Sequence, residues 1–129
     1  MDIKDILIVE NDRQLTDMFK AFFNRMSYKL DVVESAEEAL DLLKKYRYKI
    51  MFVDINLGEG MNGVDFCIEV RKNNNYSKIY AMTALRPLFE EISPQVAGFT
   101  DAFYKPVPYD TMLKRLEEDL EELKDLDWA

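Results

Sequence analysis

The chain has 129 residues, 48% of them apolar, which is enough to bury a core of its own and excludes a disordered tail. Its 25 acidic against 17 basic residues leave a net charge of −8, which argues against general nucleic-acid binding, and no apolar run approaches the roughly 18–20 residues of a membrane span. Histidine is absent, which removes Ser–His and Cys–His nucleophiles, imidazole zinc sites and a histidine base.

In chain order, the N-terminal MDIKDILIVE has no basic region followed by an apolar stretch and a cleavage site, so a cytoplasmic domain is expected. Its run Ile6-Leu7-Ile8-Val9 marks a strand buried on both faces, as in a parallel sheet covered by helices. Leu15, Met18, Phe19, Phe22, Phe23 and Met26 then follow the i, i+3, i+4, i+7 spacing of an amphipathic helix. A second strand spans 30–33, where Asp31 interrupts the run and marks an edge. Ser35 and Glu38 form a capping box that opens a helix with Ala39, Leu42, Leu43 and Tyr46 inward. Ile50-Met51-Phe52-Val53 is the third strand, and 62–72 a helix with Val64, Phe66, Cys67 and Val70 on its apolar face. Cys67 reads there as a small core residue, and a lone cysteine fits a reducing compartment. The fourth strand covers 79–82. Residues 87–97 give the poorest helix, because Pro94 forces Ser93 away from helical angles. A weak fifth strand covers 102–104. The strongest helix runs from 109 to about 125, with Met112, Leu113, Leu116, Leu120 and Leu123 in register and the acidic stretch 117–127 as its solvated face.

Five strands alternating with five helices predict an α/β fold: a doubly wound five-stranded parallel sheet, order 2-1-3-4-5, with five flanking helices. Ligands of such sheets bind beyond the carboxyl ends of the strands, where the order reverses beside strand 1. Strand 1 ends in Glu10, Asn11 and Asp12, strand 3 in Asp54 followed by Asn56, strand 4 in Thr83, and strand 5 in Lys105 before Pro106. Singly, each has an ordinary explanation as a turn, cap or solvated residue. Together, carboxylates, an amide, a hydroxyl and an ammonium make a site for a hard cation beside a phosphate. Oxygen donors suit octahedral Mg²⁺, and lysine is a point-charge partner for phosphate oxygens.

ILIVEND at 6–12, VDIN at 53–56, Gly63, MTA at 82–84 and YKP at 104–106 resemble the receiver domain of two-component response regulators. The resemblance covers about residues 4–125 of what is expected to be a single domain, 1–129. It implies that Asp54 takes a phosphoryl group from the phosphohistidine of a histidine kinase or histidine phosphotransfer protein. It implies that Glu10 and Asn11 organise Mg²⁺ with Asp54 and the backbone carbonyl of Asn56. The Thr83 hydroxyl would move toward the phosphate, and the Lys105 ammonium would pair with it. A cis Lys105–Pro106 bond is also implied, as is an output surface of the fourth helix, fifth strand and fifth helix. On this reading the chain is a signalling domain rather than an enzyme, with neither nucleic acid nor membrane as partner. Lys105 is then expected to hold phosphate rather than the fold, so that Lys105→Ala leaves thermal stability nearly unchanged.

Several positions depart from the family pattern. Asn11 stands where a second acid is usual, and an amide oxygen ligates Mg²⁺ without bringing charge; Asp12, one position later, has no direction readable from sequence. GEGMNG at 58–63 replaces a shorter, proline-containing loop, and Ala102 stands three before Lys105, where many receivers carry an aromatic. These departures keep a second reading open: a pseudo-receiver that acts as a phosphorylation-independent interaction module. A phosphohydrolase is disfavoured because Asn56, two residues after Asp54, is not a second aspartate. The 3-4-3 spacing of Leu113, Leu116, Leu120 and Leu123 leaves room for a homodimer or a continuing output module.

Overall fold

The computed structural model describes residues 1–84 and 93–125. Strands β1 (Asp2–Val9), β2 (Leu30–Val33), β3 (Tyr46–Asp54), β4 (Lys78–Thr83) and β5 (Asp101–Tyr104) pair in parallel in the order β2-β1-β3-β4-β5, the predicted sheet. Among the described residues it carries four α-helices, α1 (Arg13–Phe23), α2 (Ala36–Leu43), α3 (Gly63–Arg71) and α4 (Tyr109–Leu123), and a 3₁₀ turn at Pro94–Ala97.

The side-chain period of two divides each central strand between two layers. Ile6, Ile8, Ile50 and Phe52 pack with Phe19 and Phe23 of α1 and Met112 and Leu116 of α4. Leu7, Val9, Met51 and Val53 pack on the other side with Ala36 and Ala39 of α2 and Phe66 and Cys67 of α3. These strand residues are fully buried, each worth roughly 1.5–3 kcal/mol when withdrawn from water. Burial pushes the Cys67 thiol up to about 11, away from the reactive range, so Cys67 is a core residue. β2 is the edge that Asp31 foretold: Lys4 and the Tyr48 hydroxyl bind the Asp31 carboxylate at 2.8 and 2.5 Å.

Helix starts follow their caps. Asp12, Ser35 and Asn62 accept the N–H groups of Gln14, Glu38 and Asp65 at the heads of α1, α2 and α3. The capping box is realised one residue out of step, since Glu38 reaches back to the N–H of Glu34 at 3.1 Å. α2 stops at Leu43 because the N–H groups of Lys44 and Lys45 fold back onto the Asp41 and Leu42 carbonyls. Tyr46, expected on that helix, therefore opens β3 opposite Asp2, although its ring still packs in the expected layer. The helix predicted over 87–97 lies mostly outside the described residues. Its last part is the 3₁₀ turn, which starts at Pro94, a residue without an N–H, and stops at Gly98 with φ 101°.

Candidate functional site

β1 and β3 lie side by side, so their carboxyl ends deliver Glu10 and Asp54 to one spot. Both continue the alternation of the residues two positions earlier, Ile8 and Phe52, and leave the sheet on the same side. From β5, the Lys105 N–H binds the Thr83 carbonyl at 2.9 Å, and the bond to Pro106 is cis, as the resemblance implies. The Lys105 ammonium donates to Glu10 Oε1 at 2.7 Å and to Asp54 Oδ2 at 3.0 Å. Backbone groups fix the other two carboxylate oxygens: the Asp12 N–H lies 3.1 Å from Glu10 Oε2, and the Asn56 N–H 3.1 Å from Asp54 Oδ1. A buried strand thereby holds Asp54, itself 5% exposed, with its carboxylate in a fixed position at the sheet's rim.

The electrostatics follow from one ammonium facing two buried carboxylates. Burial, and then the hydrogen bond with Asp54, push the Glu10 carboxyl up to about 7 against the opposing pull of Lys105. Burial works to lower the Lys105 ammonium, but its bonds to Glu10 and Asp54 outweigh that and raise it above the usual range. The surplus of negative charge makes the pair a fit for a hard dication, and Glu10, Asp54, the Asn11 amide and the Asn56 carbonyl all offer oxygen donors. The site brings two carboxylates, not three: no group of three or more Asp, Glu, Cys or His side chains suited to a metal occurs among the described residues.

The other predicted residues stand around this centre. Asn11 is exposed at the rim, with its amide nitrogen against Gly58, where an added Cβ would come within 3.2 Å of it. Asp12 does not turn inward, because its carboxylate caps α1 through the Gln14 N–H at 2.9 Å. The Asn56 side chain belongs to the loop, accepting the Gly58 N–H at 3.1 Å. Thr83 is buried at the end of β4, where alternation assigns it to the layer of Ile79 and Ala81. Gly63 is required: an added Cβ would lie 2.1 Å from the Asp54 carbonyl oxygen, so only glycine lets α3 begin against the end of β3. Ala102 packs in one layer while Phe103 points into the other, against Phe52 and Tyr80 at 6.1 and 5.4 Å, so Phe103 does not replace the aromatic missing at 102. Sequence gave no signal for Tyr109 beyond helix initiation. Its ring packs on Phe19 and Phe22, and its buried hydroxyl meets no hydrogen-bond partner among the described residues.

The sequence matches the response regulator receiver domain family over residues 6–117. The transcriptional regulatory protein YvrH of Bacillus subtilis is 30% identical over 108 residues, which are 82% of this chain and 44% of that protein. The regulatory protein VanRB of Enterococcus faecalis is 32% identical over 112 residues, 87% of this chain and 50% of its own. The chain spans about half the length of these curated relatives. In fold it is similar to a CheY-like response regulator receiver domain protein from Methanospirillum hungatei, with a TM-score of 0.84 at 24% identity over 95% of this chain and 98% of that one. A Francisella response regulator receiver domain gives a TM-score of 0.82 at 20% identity, covering 92% and 98% of the two chains. The family match runs from the buried half of β1 into α4 and takes in each strand end that builds the pocket, and the chain belongs to the response regulator receiver domains.

Proposed function

We propose that Asp54 accepts a phosphoryl group from the phosphohistidine of a partner, a histidine kinase or histidine phosphotransfer protein, and that the chain acts as a phosphorylation-switched receiver. The observation that carries this is the Lys105 ammonium bound to both Asp54 and Glu10, at 3.0 and 2.7 Å: a fixed carboxylate with a positive charge directly beside it. In the transfer, an Asp54 oxygen bonds to phosphorus as the phosphorus–nitrogen bond breaks, and the departing imidazole keeps the electron pair and takes a proton. Phosphoryl transfer needs mainly alignment and charge neutralisation. The backbone N–H of Asn56 aligns the Asp54 carboxylate, and Lys105 exchanges its carboxylate contacts for phosphoryl oxygens. Glu10, Asn11, Asp54 and the carbonyl of Asn56 would hold Mg²⁺, which supplies further neutralisation when bound. Thr83 would turn its hydroxyl toward the phosphoryl group, and the change would be read on β5, α4 and the segment predicted as a helix over 87–97, by an output partner or a second copy. The receiver is proposed as a single cytoplasmic unit over 1–129 with its core at about 4–125.

Incubation with acetyl phosphate and Mg²⁺ followed by intact-mass measurement tests this. The wild type should gain one phosphoryl mass and Asp54→Asn none. An unchanged wild-type mass favours the phosphorylation-independent interaction module, and labelling elsewhere overturns the site.

A further inference from the structure

The loop between Asp54 and α3 contains Gly58 and Gly60, with φ 77° and 87°, two glycines within three residues. Such a segment has much backbone freedom to lose, so what fastens it decides how well it is organised. Its near end is tied by Asn56 Oδ1 to the Gly58 N–H at 3.1 Å, and its far end by Asn62, which caps α3, and by the Gly63 N–H on the Ile55 carbonyl at 2.9 Å. A further fastening comes from another element. Glu37, in the first turn of α2, accepts the Met61 N–H at 2.9 Å, across a sequence separation of 24. The same carboxylate fills the space beside Gly60, where an added Cβ would lie 3.0 Å from Glu37 Oε2. Glycine at 60 therefore serves the contact twice, by its positive φ and by making room. The Met61 N–H holds the Glu37 carboxyl below the usual carboxylate range, as expected of a hydrogen bond that favours the charged form.

We infer that Glu37 is a positioning residue for the phosphoryl site: its carboxylate clasps the glycine-rich loop to α2 and so holds Gly58 against Asn11 and Asn56 at the rim. The inference rests on the proposed role of the Asp54 pocket. The chain of contacts is short. Glu37 fixes Met61, the loop between Met61 and Asn56 includes Gly58, and Gly58 abuts the Asn11 amide. Asn11 and Asn56 are the two neutral donors of the proposed Mg²⁺ set. A neutral donor gains little from long-range attraction and depends on being preorganised, so loop order matters more here than it would for carboxylates.

Three variants of the whole chain test the clasp. Glu37→Ala removes the acceptor, Glu37→Gln keeps an acceptor without charge, and Glu38→Ala removes a neighbouring first-turn acid that bonds Glu34 instead of the loop. Two quantities are read: hydrogen exchange at the Met61 amide, and Mg²⁺ affinity by calorimetric titration. Glu37→Ala should raise Met61 exchange about tenfold and weaken Mg²⁺ binding about threefold, Glu37→Gln should recover most of both, and Glu38→Ala should change neither. Equal Mg²⁺ affinity in wild type and Glu37→Ala, with wild type still labelled at Asp54, overturns the inference alone. An equal effect of Glu38→Ala also overturns it, by assigning the change to helix charge. A wild type that neither binds Mg²⁺ nor accepts phosphate overturns the proposed site and this inference with it.

Discussion

Lys105 reaches a fully buried Glu10 and a nearly buried Asp54 with its own side chain 20% exposed. The expectation that its loss leaves stability unchanged treats it as a rim lysine, and these contacts replace that view with one of a counter-ion. Lys105→Ala should destabilise the metal-free protein by about 2 kcal/mol, less than a fully buried charge left alone because Glu10 can take up a proton. Adding Glu10→Gln to Lys105→Ala should restore much of the loss, which urea unfolding of both variants would measure; an unchanged midpoint in the single variant returns Lys105 to a purely functional role. Glu10, Asp54 and Lys105 were legible in sequence because each follows an apolar run whose alternation fixes direction. Asp12 and Glu37 were not, since a cap bond at 2.9 Å and a contact 24 residues away depend on loop paths that no periodicity encodes.

At the scale of elements, α4 was the plainest helix in the sequence, yet its acidic stretch is not wholly solvated. Asp119 is 5% exposed and accepts the hydroxyl of Tyr80 from β4, while Arg115 lies over the Tyr80 ring at 5.7 Å and reaches Asp101 at 3.6 Å. The sequence hid this because a lone carboxylate within EEDLEEL looks like its neighbours; only the tyrosine on the facing strand singles it out. Tyr80→Phe should cost about 1–3 kcal/mol by leaving a buried carboxylate without its hydroxyl. Burial raises the Asp119 carboxyl above its ordinary 3.8, outweighing the lowering by Tyr80. The native state therefore holds this proton more tightly than the unfolded chain, so the contribution is present below 3.8 and is lost as pH rises through the raised value. Asp119→Asn should gain stability relative to wild type as pH climbs out of that window. Urea unfolding from below pH 3.8 to neutrality checks it, and a constant difference between the two proteins would mean that Asp119 does not titrate abnormally.

At the scale of the molecule, strand order was legible because runs such as Ile6 to Val9 and Ile50 to Val53 are apolar on both faces and alternate with helical stretches. Where Pro94 breaks the pattern, helix prediction loses its warrant, and the described part is a 3₁₀ turn. Net charge acts at this scale too. With −8 on 129 residues, any added salt should stabilise the fold by screening self-repulsion, so stabilisation by MgCl₂ alone proves nothing about a site. A bound ion adds a term of different form: occupancy at ten times the dissociation constant contributes about 1.4 kcal/mol by mass action, whereas screening depends on ionic strength alone. MgCl₂ should therefore raise the melting temperature beyond NaCl of equal ionic strength, and Asp54→Asn should lose most of that excess. Asn11→Asp should show the excess at about tenfold lower Mg²⁺, since a third carboxylate adds attraction that desolvation only partly offsets. In metal-free buffer the same variant should melt lower than wild type, because the added charge crowds Glu10 and Asp54 beyond what one Lys105 ammonium balances. If MgCl₂ and NaCl coincide for the wild type and Asn11→Asp alike, the pocket holds no metal and the carboxylate pair is served by Lys105 alone.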